Sequence, residues 1–320
     1  MSASVTVAVV GAPDIAKELG KKGTASDLTL FNTVHDELAV TLVEPTQFPE
    51  KFPPLLTALA MADRCLLVLT ELSRAVAETI ATVELTEVPT VAVLGPAVGE
   101  AEVVRAFKGG RLASAPRVSL DLPKLRELVE SWTALPSEGS VRVPIDHSFP
   151  VKGVGAVALG VVRRGTLRAH DRLRLYPTAK LVEVRSLQVH DVERKEANTG
   201  ERVGVALRGV EADELSRGQT LAPDGSLSAG TSIALGPLER CRYYRGDAGP
   251  GAQLHLSLGL QVVPAVLDAL EPGRTRVTTD RPVVFAPNDP AYLIDLSVPV
   301  GPRLLGRAVA KGIDSDGMPT

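Results

Sequence analysis

From Val143 to Leu221, short runs of Val, Leu and Ala alternate with polar residues. Glycines break them at Gly153, Gly155, Gly160, Gly165, Gly200, Gly204, Gly209 and Gly218. Alternation puts successive side chains on opposite faces of a strand, and glycine supplies the turns and bends that short strands need. The pattern predicts many antiparallel strands closing into a barrel. The rest of the chain falls into a part before this barrel and a part after it.

With 320 residues, 44% of them hydrophobic, the chain can build two or three domains with cores of their own. A net charge of −3 gives no global signature of a nucleic-acid binder, so any such surface must be local. Cys65 and Cys241 each stand alone, which fits neither a zinc site nor a disulfide scaffold and suggests a reducing compartment. The first apolar run follows no basic leader, and no stretch approaches the roughly 20 apolar residues that span a bilayer. A cytoplasmic, monomeric protein without membrane contact is expected.

Before the barrel the period changes. β-branched runs at Val5–Val10, Ala39–Val43, Cys65–Leu69 and Thr90–Leu94, with a weaker one at Arg117–Leu120, read as strands buried on both faces. Between and after them, Leu55–Ala62, Arg74–Leu85, Glu100–Phe107 and Pro123–Trp132 carry apolar residues at helical spacing. The alternation predicts an open α/β sheet over residues 1–139, with ligands expected at the carboxyl ends of the strands. Residues 20–32 are basic and glycine-containing; their start reads as a flexible, solvated loop, or as a place where Lys21 and Lys22 meet a phosphate or a partner.

The loop after the first strand has half of a phosphate-binding motif. Gly11 and Lys17 stand at the spacing of G-x-x-x-x-G-K-[ST], but Ala16 replaces the second glycine and Glu18 the magnesium-binding hydroxyl. Asp14 adds a carboxylate inside the loop. After the next long strand, Glu44 and Gln47 stand where a GTPase has the Asp and Gly of D-x-x-G. After the fourth strand, Gly95–Gly99 holds none of the Asn, Lys and Asp that read guanine. Gly11, Lys17, Glu18 and Glu44 thus read as a vestigial nucleotide site in a degenerate P-loop GTPase-like sheet, with no catalytic residue, no metal site and no cofactor expected. GTP and magnesium enter only if the site is active.

In the barrel, GVGAVALGVVRRGT from Gly153, then His170-Asp171, RSLQVHD from Arg185, GERVGVALRG from Gly200 and ELSRG from Glu214 resemble the second domain of translational GTPases in order and spacing. Within them the chain is most similar to the archaeal SelB-like branch of the elongation factor Tu family. DHSFPVKGVG, LYPTAKLVEVRSLQVHD and GTASDLTLFN are similar to a SelB-like factor proposed to serve pyrrolysyl-tRNA. The resemblance implies a degenerate GTPase-like domain (1–139), two β-barrels (140–226 and 227–312) and a tail (313–320). It also implies aminoacyl-tRNA and the ribosome as partners. Gln188 takes the slot of an acidic residue that contacts the terminal adenosine, and Arg208 lies in the Leu-Arg-Gly turn beside that pocket.

Charge marks the same barrel independently: Lys152, Arg163, Arg164, Arg168, Arg185, Arg202, Arg208 and Arg217 give a local basic excess suited to phosphate. His147, His170 and His190 read as turn or packing residues. In the third part, Arg240, Arg242, Tyr243, Tyr244 and Arg245 read either as an RNA clasp or as a charged edge strand. The expected function is tRNA or ribosome binding without GTP hydrolysis. The alternatives are an active divergent GTPase delivering a specialised aminoacyl-tRNA and a protein-binding adaptor.

Overall fold

The computed structural model describes residues 3–35, 38–134, 137–178 and 180–314. They form two compact units. The first comprises residues 1–134 with Cys241–Gly246 and Leu296–Leu305, the second 135–240, 247–295 and 306–320.

In the first unit, the elements are β1 (Ala3–Gly11), α1 (Ile15–Leu19), β2 (Lys21–Ala25), β3 (Thr29–His35), β4 (Leu38–Glu44) and α2 (Pro53–Met61). There follow β5 (Arg64–Leu69), α3 (Arg74–Thr86), β6 (Thr90–Leu94), α4 (Glu100–Phe107), β7 (Arg117–Ser119) and α5 (Leu122–Glu130). The sheet order is β2-β3-β4-β1-β5-β6-β7, parallel from β4 to β7 and antiparallel at β2 and β3. Val5, Val7 and Val9 face Ala16, Leu19, Leu125, Val129 and Trp132 of the α1–α5 side. Thr6, Ala8 and Val10 are equally buried, and α2 and α3 pack against the same strand. A strand covered on both faces needs the continuous apolar run seen in the sequence. The helices start where local chemistry allows: Ser73 accepts from the Val76 amide and Asp121 from the Lys124 amide. Residues 20–32 differ from the expected loop. Most of them form β2 and β3, because β4 offers an open edge that pairs β3 from Thr29 to His35.

The second unit holds two closed barrels. The first contains β8 (Val143–Val151), β9 (Gly155–Val161), β10 (Thr166–Arg168), β11 (Arg172–Tyr176), β12 (Leu181–Val189), β13 (Val192–Arg194), β14 (Glu196–Asn198), β15 (Arg202–Arg208) and β16 (Thr220–Ala222). Six of these, in the order β11-β16-β8-β9-β15-β12, close through the β11–β12 pair around Val143, Ile145, Leu175, Val184, Leu187, Val205 and Leu221. The second contains β17 (Ser228–Leu235), β18 (Glu239–Arg240), β19 (Gln253–Leu258), β20 (Gln261–Glu271), β21 (Arg274–Phe285), β22 (Pro290–Ile294) and β23 (Leu304–Ile313). It closes through β17 and β23.

Residues 282–285 end the long β21, and the short β22 stops at Ile294. Arg142 joins the barrels by a bidentate pair to Asp289 at 2.9 and 2.6 Å. Ile313 belongs to β23, and Asp314 receives Arg274 at 2.7 Å. The rest of the expected tail, from residue 315, lies outside the described residues.

Candidate functional site

The loop that holds the expected nucleotide-site residues Gly11 and Lys17 joins β1 to α1, a helix of only five residues. Gly11 has φ +102°, and a Cβ there would collide with the Val68 carbonyl of β5. The positive φ and the close β1–β5 approach each require glycine at this position. The groups that would receive phosphate are engaged within the chain. The Asp14 amide donates to Glu44 Oε1 at 3.1 Å, and the Ala16 amide also reaches the Glu44 carboxylate. The Lys17 ammonium lies 3.1 Å from Asp14 Oδ1. Glu18 is exposed, while Arg126 of α5 takes the Glu18 and Leu19 carbonyls at 2.6 and 3.1 Å.

Glu44 is 9% exposed, and its Oε2 has no hydrogen-bond partner among the described residues. Burial pushes its pKa up, with the Asp14 charge adding to the rise. The two amides and Lys17 oppose this without cancelling it. These residues do not fit a nucleotide phosphate with its magnesium. A carboxylate already sits on the loop amides, and a second anion there would face Glu44 and Asp14 together.

The barrel presents most of its candidate cations outward. Lys152, Arg164, Arg168, Arg185 and Arg208 are exposed, as is Gln188, and Arg163 is half-buried. Some also have structural duties: Arg185 donates to the Val154 carbonyl at 3.0 Å and Arg164 to the Glu138 carbonyl at 2.7 Å. Arg208 lies 3.7 Å from Glu183.

Arg202 departs from the surface reading. It makes a two-pronged pair with Asp146, whose side chain is 1% exposed, and His147 Nδ1 lies 2.7 Å from the same carboxylate. Arg217 donates to the Asp146 carbonyl at 3.1 Å. The register explains the meeting. Gly160 of β9 pairs with Ile145 on one side and Val203 on the other, and β8 bulges between Ile145 and His147. The bulge aims Asp146 toward Arg202. Burial alone would raise the Asp146 pKa, but the Arg202 charge and the hydrogen bonds from His147 and Arg202 outweigh it and hold it low.

Asp146 and the partnership of His147 were missed in the sequence, although an Asp-His pair in a strand of otherwise apolar inward positions was a visible signal. His170 and His190 do sit in turns, at φ +71° and +51°. The aromatic–arginine cluster is split. Tyr244 is buried, Arg242 stacks on Tyr243 with its guanidinium carbon 4.6 Å from the ring centroid and donates to the Lys108 carbonyl at 2.8 Å, and Arg240 and Arg245 are exposed.

Comparison with known proteins adds four findings. Residues 155–222 match the family model of elongation factor Tu domain 2. The chain is 33% identical over 294 residues to the uncharacterized protein MJ0325 of Methanocaldococcus jannaschii, covering 91% of this chain and 94% of that one. It is 26% identical over 285 residues to the selenocysteine-specific elongation factor of the same organism, covering 82% of this chain but 61% of that factor. Among solved structures, SelB from Methanococcus maripaludis in complex with the GTP analogue GPPNHP superposes with a TM-score of 0.81 at 18% identity, over 97% of this chain and 79% of that one.

Proposed function

The chain belongs to the SelB-like branch of the elongation factor Tu family, and on that premise we propose that it binds tRNA or the ribosome through its barrels without a GTP cycle. The proposed domains run over 1–139, 140–226 and 227–312. The observation that carries the silent cycle is the Glu44 carboxylate on the Asp14 and Ala16 amides, with Lys17 drawn to Asp14. A phosphate would have to displace both contacts and enter a loop carrying two carboxylates.

The RNA-facing residues of this reading are Lys152, Arg163, Arg164, Arg185, Gln188 and Arg208, with Arg240 of the second barrel and Arg245 of the segment Cys241–Gly246. Arg202 has a different role. Its guanidinium, with the His147 ring against the same carboxylate, has the donors to receive a small polar group such as the side chain of an aminoacyl end. Arg202→Met would then weaken binding of charged tRNA more than of uncharged tRNA. Fluorescence anisotropy with labelled tRNA tests the whole reading. Binding should fall steeply with salt. Salt-independent or absent RNA binding would contradict it and favour the protein-binding adaptor.

A further inference from the structure

The loop of residues 45–52, which leaves β4 just after Glu44, is tied to its own unit at three places. At its start Glu44 accepts the amides of Asp14 and Ala16. In its middle the Gln47 amide donates to the Asp27 carbonyl at 3.1 Å, and the Thr46 and Thr29 hydroxyls are 2.6 Å apart. At its end Arg303 donates to the Pro49 carbonyl at 2.9 Å, its guanidinium carbon 5.9 and 5.2 Å from the ring centroids of Phe48 and Phe52.

Arg303 is itself fixed. Its amide and Nε reach Glu78 Oε1 at 2.7 and 3.0 Å, and a terminal nitrogen reaches Oε2 at 2.6 Å. Glu78, on α3, is 8% exposed. A planar guanidinium can hold a carboxylate in two prongs, cap a carbonyl and lie near two rings at once, whereas an ammonium offers no such fork. Arg74 fastens the same segment by donating to the Pro299 carbonyl at 3.0 Å.

In nucleotide switches, a loop in this position is ordered by the γ-phosphate and its metal and released on hydrolysis. In this chain the contacts named above hold the corresponding loop from within its own unit. We propose, resting on the reading of the nucleotide site as silent, that Glu44 and Arg303 lock the loop of residues 45–52 in one permanent conformation. Glu44 stands in for the anion at one end, and the Arg303–Glu78 clasp holds the other. Whatever surface the loop presents is then set by folding and needs no nucleotide.

Hydrogen–deuterium exchange on the full chain tests this, read on peptides covering residues 45–52. The amides of Gln47, Phe48 and Lys51 are all bonded there and report on the loop. In the wild type they should be protected, and GTP or GDP with magnesium should leave their exchange unchanged. Arg303→Ala should speed exchange roughly 100-fold or more, as expected for a buried carboxylate left without its partner, with the barrel peptides unaffected. Arg303→Lys should also lose protection, and it carries the same comparison if Arg303→Ala fails to fold. Near-intrinsic exchange in the wild type, or no acceleration in both variants, would overturn the lock while leaving the silent site standing. Nucleotide binding by calorimetry with unaltered loop exchange would do the reverse.

Discussion

Asp146 and Glu44 are two buried carboxylates with opposite electrostatic fates. Asp146 is held low by Arg202 and His147, despite burial. A folded pKa below the unfolded one gives stability that is present above the unfolded value, about 4, and lost as pH falls through the folded value. Removing one partner leaves a buried charge uncompensated. Asp146→Ala should therefore cost about 3 to 5 kcal/mol in denaturant unfolding at pH 7, and the Asp146→Leu/Arg202→Met pair should recover most of that loss. Glu44 runs the other way. Burial raises its pKa, so folding takes up a proton. Its favourable contribution is complete below about pH 4.3 and disappears as pH rises through the raised value. Glu44→Gln keeps an acceptor for the Asp14 amide without the charge. Its denaturation midpoint should gain on the wild type between pH 5 and pH 8, and a wild-type midpoint that gains on the variant over that range would contradict this account of Glu44.

At the scale of elements, the parallel strands and helices of the first unit were legible because their signals are local. Glu100–Phe107 is helical over the expected residues, and Arg74–Thr86 extends its expectation by one. The β2–β3 hairpin was not legible, because Lys21, Lys22 and Gly23 make a poor strand until β4 supplies an edge. The Asp146–Arg202 pair was hidden for a related reason. The partners are 56 residues apart, and they meet only through the shared register of β8 and β15 on β9. Gly160 stands at the centre of that register, and a Cβ there would strike the Pro144 carbonyl. Gly160→Ala should destabilise the chain by about 1 to 3 kcal/mol, measured by urea unfolding. An unchanged midpoint would show that β8 yields at no cost.

Over the whole molecule, a net charge of −3 conceals a barrel whose exposed cations suit a phosphate backbone. Lys152→Glu and Arg163→Glu should each weaken tRNA binding and reduce the slope of log affinity against log salt by roughly one unit. A protein-binding adaptor would show neither effect. The exposed cations of the barrel contrast with the first loop, where Glu44 holds the Asp14 amide and Lys17 pairs with Asp14. Titration calorimetry of the purified full chain with GTP and with GDP, magnesium present, tests that contrast most directly. No saturable heat from either nucleotide is the predicted result, and micromolar affinity for either would contradict it.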